Sequence, residues 1–540
     1  MSKIAIDAGV AAQGPDVTTG MRRDTALVSL CTLFSRMTGF ARVVTTAAVL
    51  GSGVLADVYQ TANMIPNLLF DLVAGGVLQA VLLPSFIAAR RLGGNAALSA
   101  ATRATAGVIV GGLGIVALLG MALSPLIARL MVAAEPSAAI SDEKIRLMVP
   151  MVLVFIPQLV CYGVATVTCA ALNARGRYVA AALSPAVNNV IVVVACVLFR
   201  ASRHGAVADL RLTTLQFVLI AAGTTLGVVA FSVTPAIALA RTGVRWWPTW
   251  SPEHPAVRSM RSSFGWASLS IVGTLVPTAA ALALGNGAAG GVAVFVYAFA
   301  FFVLPHALIA VTVATTLAPR VAEGWQAGHT REVRVAIDSA MKGAVPLLAL
   351  AGAGMVALAW PLTRLVAAVG QTASQGQAPI AHTLAAFGPG LLGYGVSFVM
   401  IRVLFSLGDV RVASLLMIAG AVVGVVVMVV ASMTMSDSQR AVALAIGYGA
   451  SQTVAALLLG ARVHRLTRAV SPSRSAGLLL ESGVAAAAAW FAMWQVQRLF
   501  STESVHAPAA FVAGGMTGVV VFAAVMTMMR GRDLWGWRRP

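Results

Sequence analysis

Between residues 35 and 91 the chain reads SRMTGFAR, a short apolar connection, then GSGVLADVYQTANMIPNLLFDLVAGGVLQAVLLPSFIAARR, and it holds Arg36, Arg42, Asp57, Asn63, Asn67 and Asp71 within otherwise apolar sequence. An Arg or Asp at the middle of a bilayer costs about 2.5 to 3.5 kcal/mol on insertion scales, so such groups usually face a bundle interior or a wet cavity. A guanidinium presents fixed, paired donors that suit a phosphate or a carboxylate. Arg36 and Arg42 lie roughly 120° apart around a helix and so serve different directions. Asp57, at the start of the next span, is placed to pair with Arg36 and leave Arg42 free for an anionic ligand; an Arg–Asp pair that only locks two helices is the competing reading. Asn63 and Asn67 flank Pro66, and Asn188 and Asn189 interrupt a later apolar run. Such amides more often bond across helices, at about 1 kcal/mol each, than hold a substrate. Asp71 has no Arg partner on its own helix. It is neutral, paired with Arg42 across a cavity, or nearer the surface. His306 and Glu481 are weaker candidates for protonation, and Arg402 reads as snorkelling to the interface.

These residues need a scaffold, and the composition supplies one. Of 540 residues 59% are hydrophobic and 10% charged, far from the quarter that is charged in a soluble globule. The chain is all-α and polytopic. The net charge of +19 would suggest nucleic acid, but its Arg residues fall mostly in short loops between apolar runs, which is membrane topology and contact with anionic lipid. Cys31, Cys161, Cys169 and Cys196 sit inside apolar runs without metal-ligand spacing and read as small buried hydrophobes. Residues 1–20 have no signal-peptide core and read as a disordered cytosolic tail. No phosphate-cradling G-x-x-x-x-G-K-[ST] is present, so an ATP-driven pump on this chain alone is not expected.

At about 20 apolar residues per span, about fourteen spans are expected. They fall near 25–50, 56–88, 104–133, 146–172, 178–199 and 214–240, then 260–284, 290–318, 343–369, 380–406, 412–433, 439–461, 476–497 and 507–529. With the N-terminus inside, roughly 25 basic residues lie in cytosolic segments against about 9 outside, so both termini are expected to be cytosolic. Trp246, Trp247 and Trp250 read as an interfacial belt, and 325–341 as a solvated connector or surface helix. The runs VYQTANMIPNLL and VYAFAFFVLPHAL, six spans apart, echo each other and fit two parallel six-span lobes. The expected divisions are a cytosolic tail 1–24, an N-lobe 25–241, a C-lobe 242–465, a final helix pair 466–530 and a cytosolic tail 531–540.

SRMTGFAR, ADVYQTANMIPNLL and LPSF resemble the MurJ (MviN) family, the lipid II flippases of the MOP exporter superfamily. GGVLQAVLLP is most similar to its actinobacterial branch. VYAFAFFVLPHALIAVTVATTLAPRVAE and VSFVMIRVLFSLGDVR extend the match. The resemblance implies a V-shaped arrangement of two six-helix lobes plus two C-terminal helices that form a groove for a polyprenyl tail. It implies a flippase rather than an enzyme, located in the bacterial plasma membrane. The cargo would be lipid II, the undecaprenyl-diphosphate-linked peptidoglycan precursor, moved from inner to outer leaflet by alternating access, with cell-wall synthesis proteins as possible partners. Arg36, Arg42 and Asp57 match the family's cavity positions. Where many relatives carry Arg and Glu, this chain has Phe70 and Gly75 on the second span, and Ala300 and Val303 on the eighth. That departure keeps two alternatives open: a non-transporting scaffold for cell-wall synthesis, or an exporter of another polyprenyl-linked sugar. No cofactor is expected, and the membrane potential or an unidentified ion would drive movement. Mycobacterial relatives carry a cytosolic pseudokinase extension; this sequence stops at Pro540, as either a naturally short member or a shortened chain.

Overall fold

The computed structural model describes residues 15–72, 77–203, 210–263, 265–367, 377–500 and 507–530, and contains helices and no strand among them. In order they are α1 (Pro15–Leu50), α2 (Val54–Phe70), α3 (Val77–Ala122), α4 (Ser124–Val132), α5 (Ala138–Phe155), α6 (Gln158–Ala174), α7 (Val179–Ser202) and α8 (Thr214–Phe217), which runs through a π turn into α9 (Gly223–Ala240). Then come α10 (Pro255–Ser263), α11 (Gly265–Gly285), α12 (Gly291–Gln326), α13 (Thr330–Ala357), α14 (Ala359–Ala367), α15 (Gln377–Ser406), α16 (Val410–Thr434), α17 (Arg440–Thr467), α18 (Pro472–Gln497) and α19 (Ala507–Arg530). Among the described residues eleven helical stretches are long and apolar enough to cross a membrane, and Leu269–Gly285 is a shorter apolar one. α1 and α2 stand where the sequence places the first two spans.

Several expected spans are interrupted. The run 56–88 is divided between α2 and α3, while α3 leaves helical geometry at Gly93 and Gly94, between the expected spans 56–88 and 104–133; the φ of +60° at Gly94 is one that glycine adopts freely. The run 146–172 is split where Pro157 opens α6. Helix α1 starts at Pro15, inside the expected tail; proline is well suited to a first helical position, where no N–H is needed. Residues 330–341, read as a connector, are the first turns of α13. Residues 1–14 and 531–540, most of the two expected tails, lie outside the described residues.

The helices pack in two sets. In the first, α1 lies on α7, α3 on α6, α7 on α9 and α2 on α5; in the second, α15 contacts α12, α13 and α17, and α16 contacts α11 and α17. Helices α18 and α19 pair with each other and lean on α13 and α14. The segment joining the sets is strapped along α3: the Arg245 N–H donates to Ser99 Oγ at 3.1 Å and the Thr249 N–H to the Arg103 carbonyl at 3.0 Å. Trp247 and Trp250 on this strap are exposed.

The second set has an aromatic core. Phe302 of α12 stacks on Phe387 (4.7 Å between ring centres) and on Tyr394 (5.3 Å), both from α15, and Tyr448 of α17 meets Phe299 edge-on at 5.2 Å. Such pairs add about 0.5 to 1.5 kcal/mol beyond area burial. Nearby, α15 and α17 touch backbone to backbone: a Cβ on Gly390 would sit 2.6 Å from Gly449 Cα. Small residues at a crossing are a general means of close helix packing in membranes. Gly390→Val is expected to cost about 1 to 3 kcal/mol by overpacking and to lower the melting temperature in detergent. Gly460→Ala, whose Cβ meets nothing within 4 Å, should leave it unchanged or slightly raised.

The two sets are tied together where α2 and α12 begin. The first turn of any helix leaves N–H groups without partners inside the helix, and α12 is preceded by Gly290 in the left-handed region (φ +82°) with no side chain to cap it. Asp57, wholly buried on α2, supplies the cap. Its Oδ2 accepts the Gly290 N–H at 2.7 Å, and its Oδ1 accepts those of Val292 at 3.0 Å and Ala293 at 2.8 Å. Bonds to a charged group contribute about 1.5 to 3 kcal/mol each, and the carboxylate also sits at the positive end of the α12 dipole.

Beside it Lys144, also wholly buried, donates to Glu135 Oε2 at 2.6 Å and to the Asn286 carbonyl at 2.6 Å. Asn286 Nδ2 donates to Thr61 Oγ1 at 2.9 Å, and the Tyr297 hydroxyl to the Gly51 carbonyl at 3.2 Å. The expected pairing of Asp57 with Arg36 does not form, because three fixed backbone donors occupy the carboxylate. In Asp57→Asn the side-chain NH2 would face backbone N–H donors. The amides of Gly290, Val292 and Ala293 should then exchange with deuterium roughly tenfold faster or more, as follows from leaving about 1 to 3 kcal/mol of bonding unmade. Unchanged protection in hydrogen-exchange mass spectrometry would refute the cap.

Candidate functional site

The polar residues that remain gather around Tyr162, on α6. Arg42 of α1 is half-buried and lies within electrostatic reach of the Tyr59 and Tyr162 hydroxyls and of the Cys196 thiol. The Tyr162 ring is 5.4 Å from Phe70 and 6.2 Å from Phe231, and its hydroxyl donates to Gln158 Oε1 at 3.4 Å. The Asn67 side chain is within hydrogen-bonding reach of that hydroxyl, and Asp71 within electrostatic reach. Tyr59 is held through its hydroxyl, 2.9 Å from Thr224 Oγ1, and Gln158 through Thr225 Oγ1 at 2.8 Å. Tyr59 and Gln158 are wholly buried and bonded to Thr224 and Thr225, and the Tyr162 proton goes to Gln158, so the group here suited to an oxyanion such as a phosphate is the Arg42 guanidinium.

Of the six residues singled out in the sequence, Arg42, Asn67 and Asp71 come together here. Arg42 and Asp71 approach the same tyrosine from different helices, and among the described residues no ion pair joins them. Asp71 is exposed where α2 opens into a π turn. Arg36 is exposed on α1. Asn63 is buried, and its carbonyl accepts from Asn67 Nδ2 at 2.8 Å, which satisfies an amide donor next to Pro66. Asp57 stands apart, in the contact between the two sets. Among the family's altered positions, Phe70 packs on Tyr162, Ala300 and Val303 are half-buried on α12, and Gly75 lies outside the described residues.

Tyr162 was not singled out from the sequence. Its signal was available: a tyrosine in the apolar run QLVCYGVATV needs a partner for its hydroxyl if it is buried. The weaker candidates resolve differently. His306 is buried and stacks on Tyr394 with ring centres 3.9 Å apart, as part of the aromatic core. Arg402 is exposed over the Phe398 ring at 5.3 Å, and Glu481 is half-buried beside Lys342 and Arg474. Asn189 bonds across helices as expected, with Nδ2 3.3 Å from Thr38 Oγ1.

The model of a family described as "Lipid II flippase MurJ" matches residues 46–512. A "Probable lipid II flippase MurJ" from Rhizobium meliloti is 26% identical over 387 residues, which is 72% of this chain and 70% of the relative. One from Rhizobium tropici is 28% identical over 378 residues, 69% and 68% of the two chains. Among solved structures, a lipid II flippase MurJ in an inward closed conformation superposes with a TM-score of 0.72 at 16% identity, covering 94% of this chain and 99% of that one. An inward-facing MATE family transporter of the MOP superfamily gives 0.61 at 17% identity, covering 82% and 99%. The fold is therefore the one shared by MurJ and MATE proteins, and the chain belongs to the MurJ family of multi-pass membrane transporters.

Proposed function

We propose that the protein carries lipid II, the undecaprenyl-diphosphate-linked peptidoglycan precursor, from the inner to the outer leaflet of the bacterial plasma membrane. Two lobes, 25–241 and 242–465, alternate access to a cavity between them, and both termini are cytosolic. The observation that carries this reading is Arg42: half-buried, with no carboxylate in ion-pair contact among the described residues, and within electrostatic reach of the half-buried Tyr162 hydroxyl, beside which the Asn67 side chain lies. That set takes up a diphosphate. Arg36, exposed on the same helix, meets the headgroup first, and α18 and α19 guide the polyprenyl tail. The Asp57 cap holds the outer end shut while the cargo loads, and the lipid leaves when that contact opens.

An inside-negative potential favours outward movement of an anion by about 2.3 kcal/mol per charge per 100 mV, so no coupling ion is required. Delivery to cell-wall synthesis proteins would follow on the outer side. A drug exporter of the same superfamily would want an acidic or aromatic cavity for cations; the site does hold Asp71 and the rings of Tyr162, Phe70 and Phe231, but Arg42, within electrostatic reach of Tyr162, opposes a cation.

Binding of purified lipid II, followed by native mass spectrometry with a diphosphate-free polyprenol as control, tests the reading. Arg42→Ala should weaken lipid II binding by roughly ten- to a hundredfold, the worth of one or two bonds to a charged group, and Arg36→Ala by less. Equal binding by parent and Arg42→Ala, or by neither, would overturn the role of Arg42. The scaffold reading, which the apolar Phe70, Ala300 and Val303 favour, would then take its place.

A further inference from the structure

Where α6 passes into α7 and α9 ends, a groove of about 710 Å³ opens between the three helices. Its mouth carries Arg177, Tyr178 and Arg241, all exposed. Beyond the mouth, half-buried Leu183 and Val187 of α7 and exposed Ile237 of α9 line an open apolar channel that leads away from the two guanidiniums. Among the described residues no carboxylate lines it.

The surroundings add positive charge. Arg90 donates to the Ala174 carbonyl at 2.8 Å and Arg175 to Asn95 Oδ1 at 2.5 Å, so both are committed to holding the turn. Burial, and then the charges of Arg90 and Arg177, lower the pKa of the Arg175 guanidinium. A cluster of like charges at one end of a helix set repels itself unless an anion arrives, and it lies on the side that the distribution of Arg assigns to the cytosol.

We propose that this groove seats one anionic phospholipid of the surrounding inner leaflet, with its phosphate between Arg177 and Arg241 and an acyl chain along Leu183, Val187 and Ile237. The apolar channel has no use to a soluble phosphate, and a zwitterionic headgroup would bring its own cation against the two arginines. The site is separate from Arg42 and does not depend on the identity of the cargo.

The delipidated protein, titrated with phosphatidylglycerol, phosphatidylcholine of the same chains, and glycerol phosphate, tests this by native mass spectrometry. One phosphatidylglycerol adduct should outlast the others, with phosphatidylcholine at least about tenfold weaker. The double variant Arg177→Gln/Arg241→Gln should lose roughly 25-fold, since each basic residue beside an anionic lipid contributes about fivefold. Val187→Trp, which fills the channel and keeps both arginines, should lose the adduct as well, and Arg42→Ala should keep it. Equal retention of phosphatidylglycerol by the double variant, equal binding of phosphatidylcholine, or competition by glycerol phosphate at matching concentration would each overturn the proposal. So would loss of the adduct in Arg42→Ala alone, which would place the lipid in the cargo site.

Discussion

Inside a bilayer a polar group must find its partner within the protein, because no water is at hand to supply one. Asp57 and Arg42 meet that constraint in opposite ways. The carboxylate of Asp57 is fully engaged by three backbone donors of α12 and withdrawn from solvent. The guanidinium of Arg42 lies half-buried within electrostatic reach of two hydroxyls that are themselves anchored elsewhere, and among the described residues it makes no ion pair. One residue joins the two helix sets; the other stands on α1, within the first set, with no ion pair among the described residues. Transport by alternating access needs both conditions.

The contact between the sets is made of many polar bonds, whereas each set is held by close packing. Lys144 of the first set reaches across to the Asn286 carbonyl from a buried pair with Glu135 of its own set; burying that pair brings little net stability, since desolvation offsets most of the attraction, yet removing one partner strands the other at a cost of about 3 to 5 kcal/mol. A contact of that kind is either complete or open, with little gain in between. The second set, with stacked aromatic rings from α12, α15 and α17 and a glycine crossing, has no comparable freedom and is suited to moving as one piece. The segment that joins the sets is tied to α3 by one bond to the Ser99 hydroxyl and one to the Arg103 carbonyl.

The helical architecture was legible because span length and the distribution of Arg leave few alternatives once 59% of the residues are hydrophobic. The interruptions were harder to see. Gly93 and Gly94 do fall between the expected spans 56–88 and 104–133, but Pro157 looks like a tolerated kink until α6 is seen to begin after it. Arg42, Asn67 and Asp71 were found because charges and amides stand out in apolar sequence. The destination of Asp57 could not be read, because its partners are backbone amides more than 230 positions away and carry no side-chain signature. Tyr162 was hidden for a different reason: a tyrosine in a span is ordinary until its hydroxyl is found beside a guanidinium.

The same backbone partnership has a consequence for how this family's sequences would vary. Every residue except proline brings an N–H, so positions 292 and 293, both wholly buried, are limited by packing and not by the side-chain chemistry of their bonds to Asp57. Position 290 is limited by its left-handed backbone and its closeness to the Ser52 carbonyl rather than by any complementarity to a carboxylate. Correlated substitution, the usual trace of contacts between distant parts of a chain, would therefore be faint at the joint that holds the two halves together. Its mark would be a single aspartate facing positions whose limits are size and backbone, not charge.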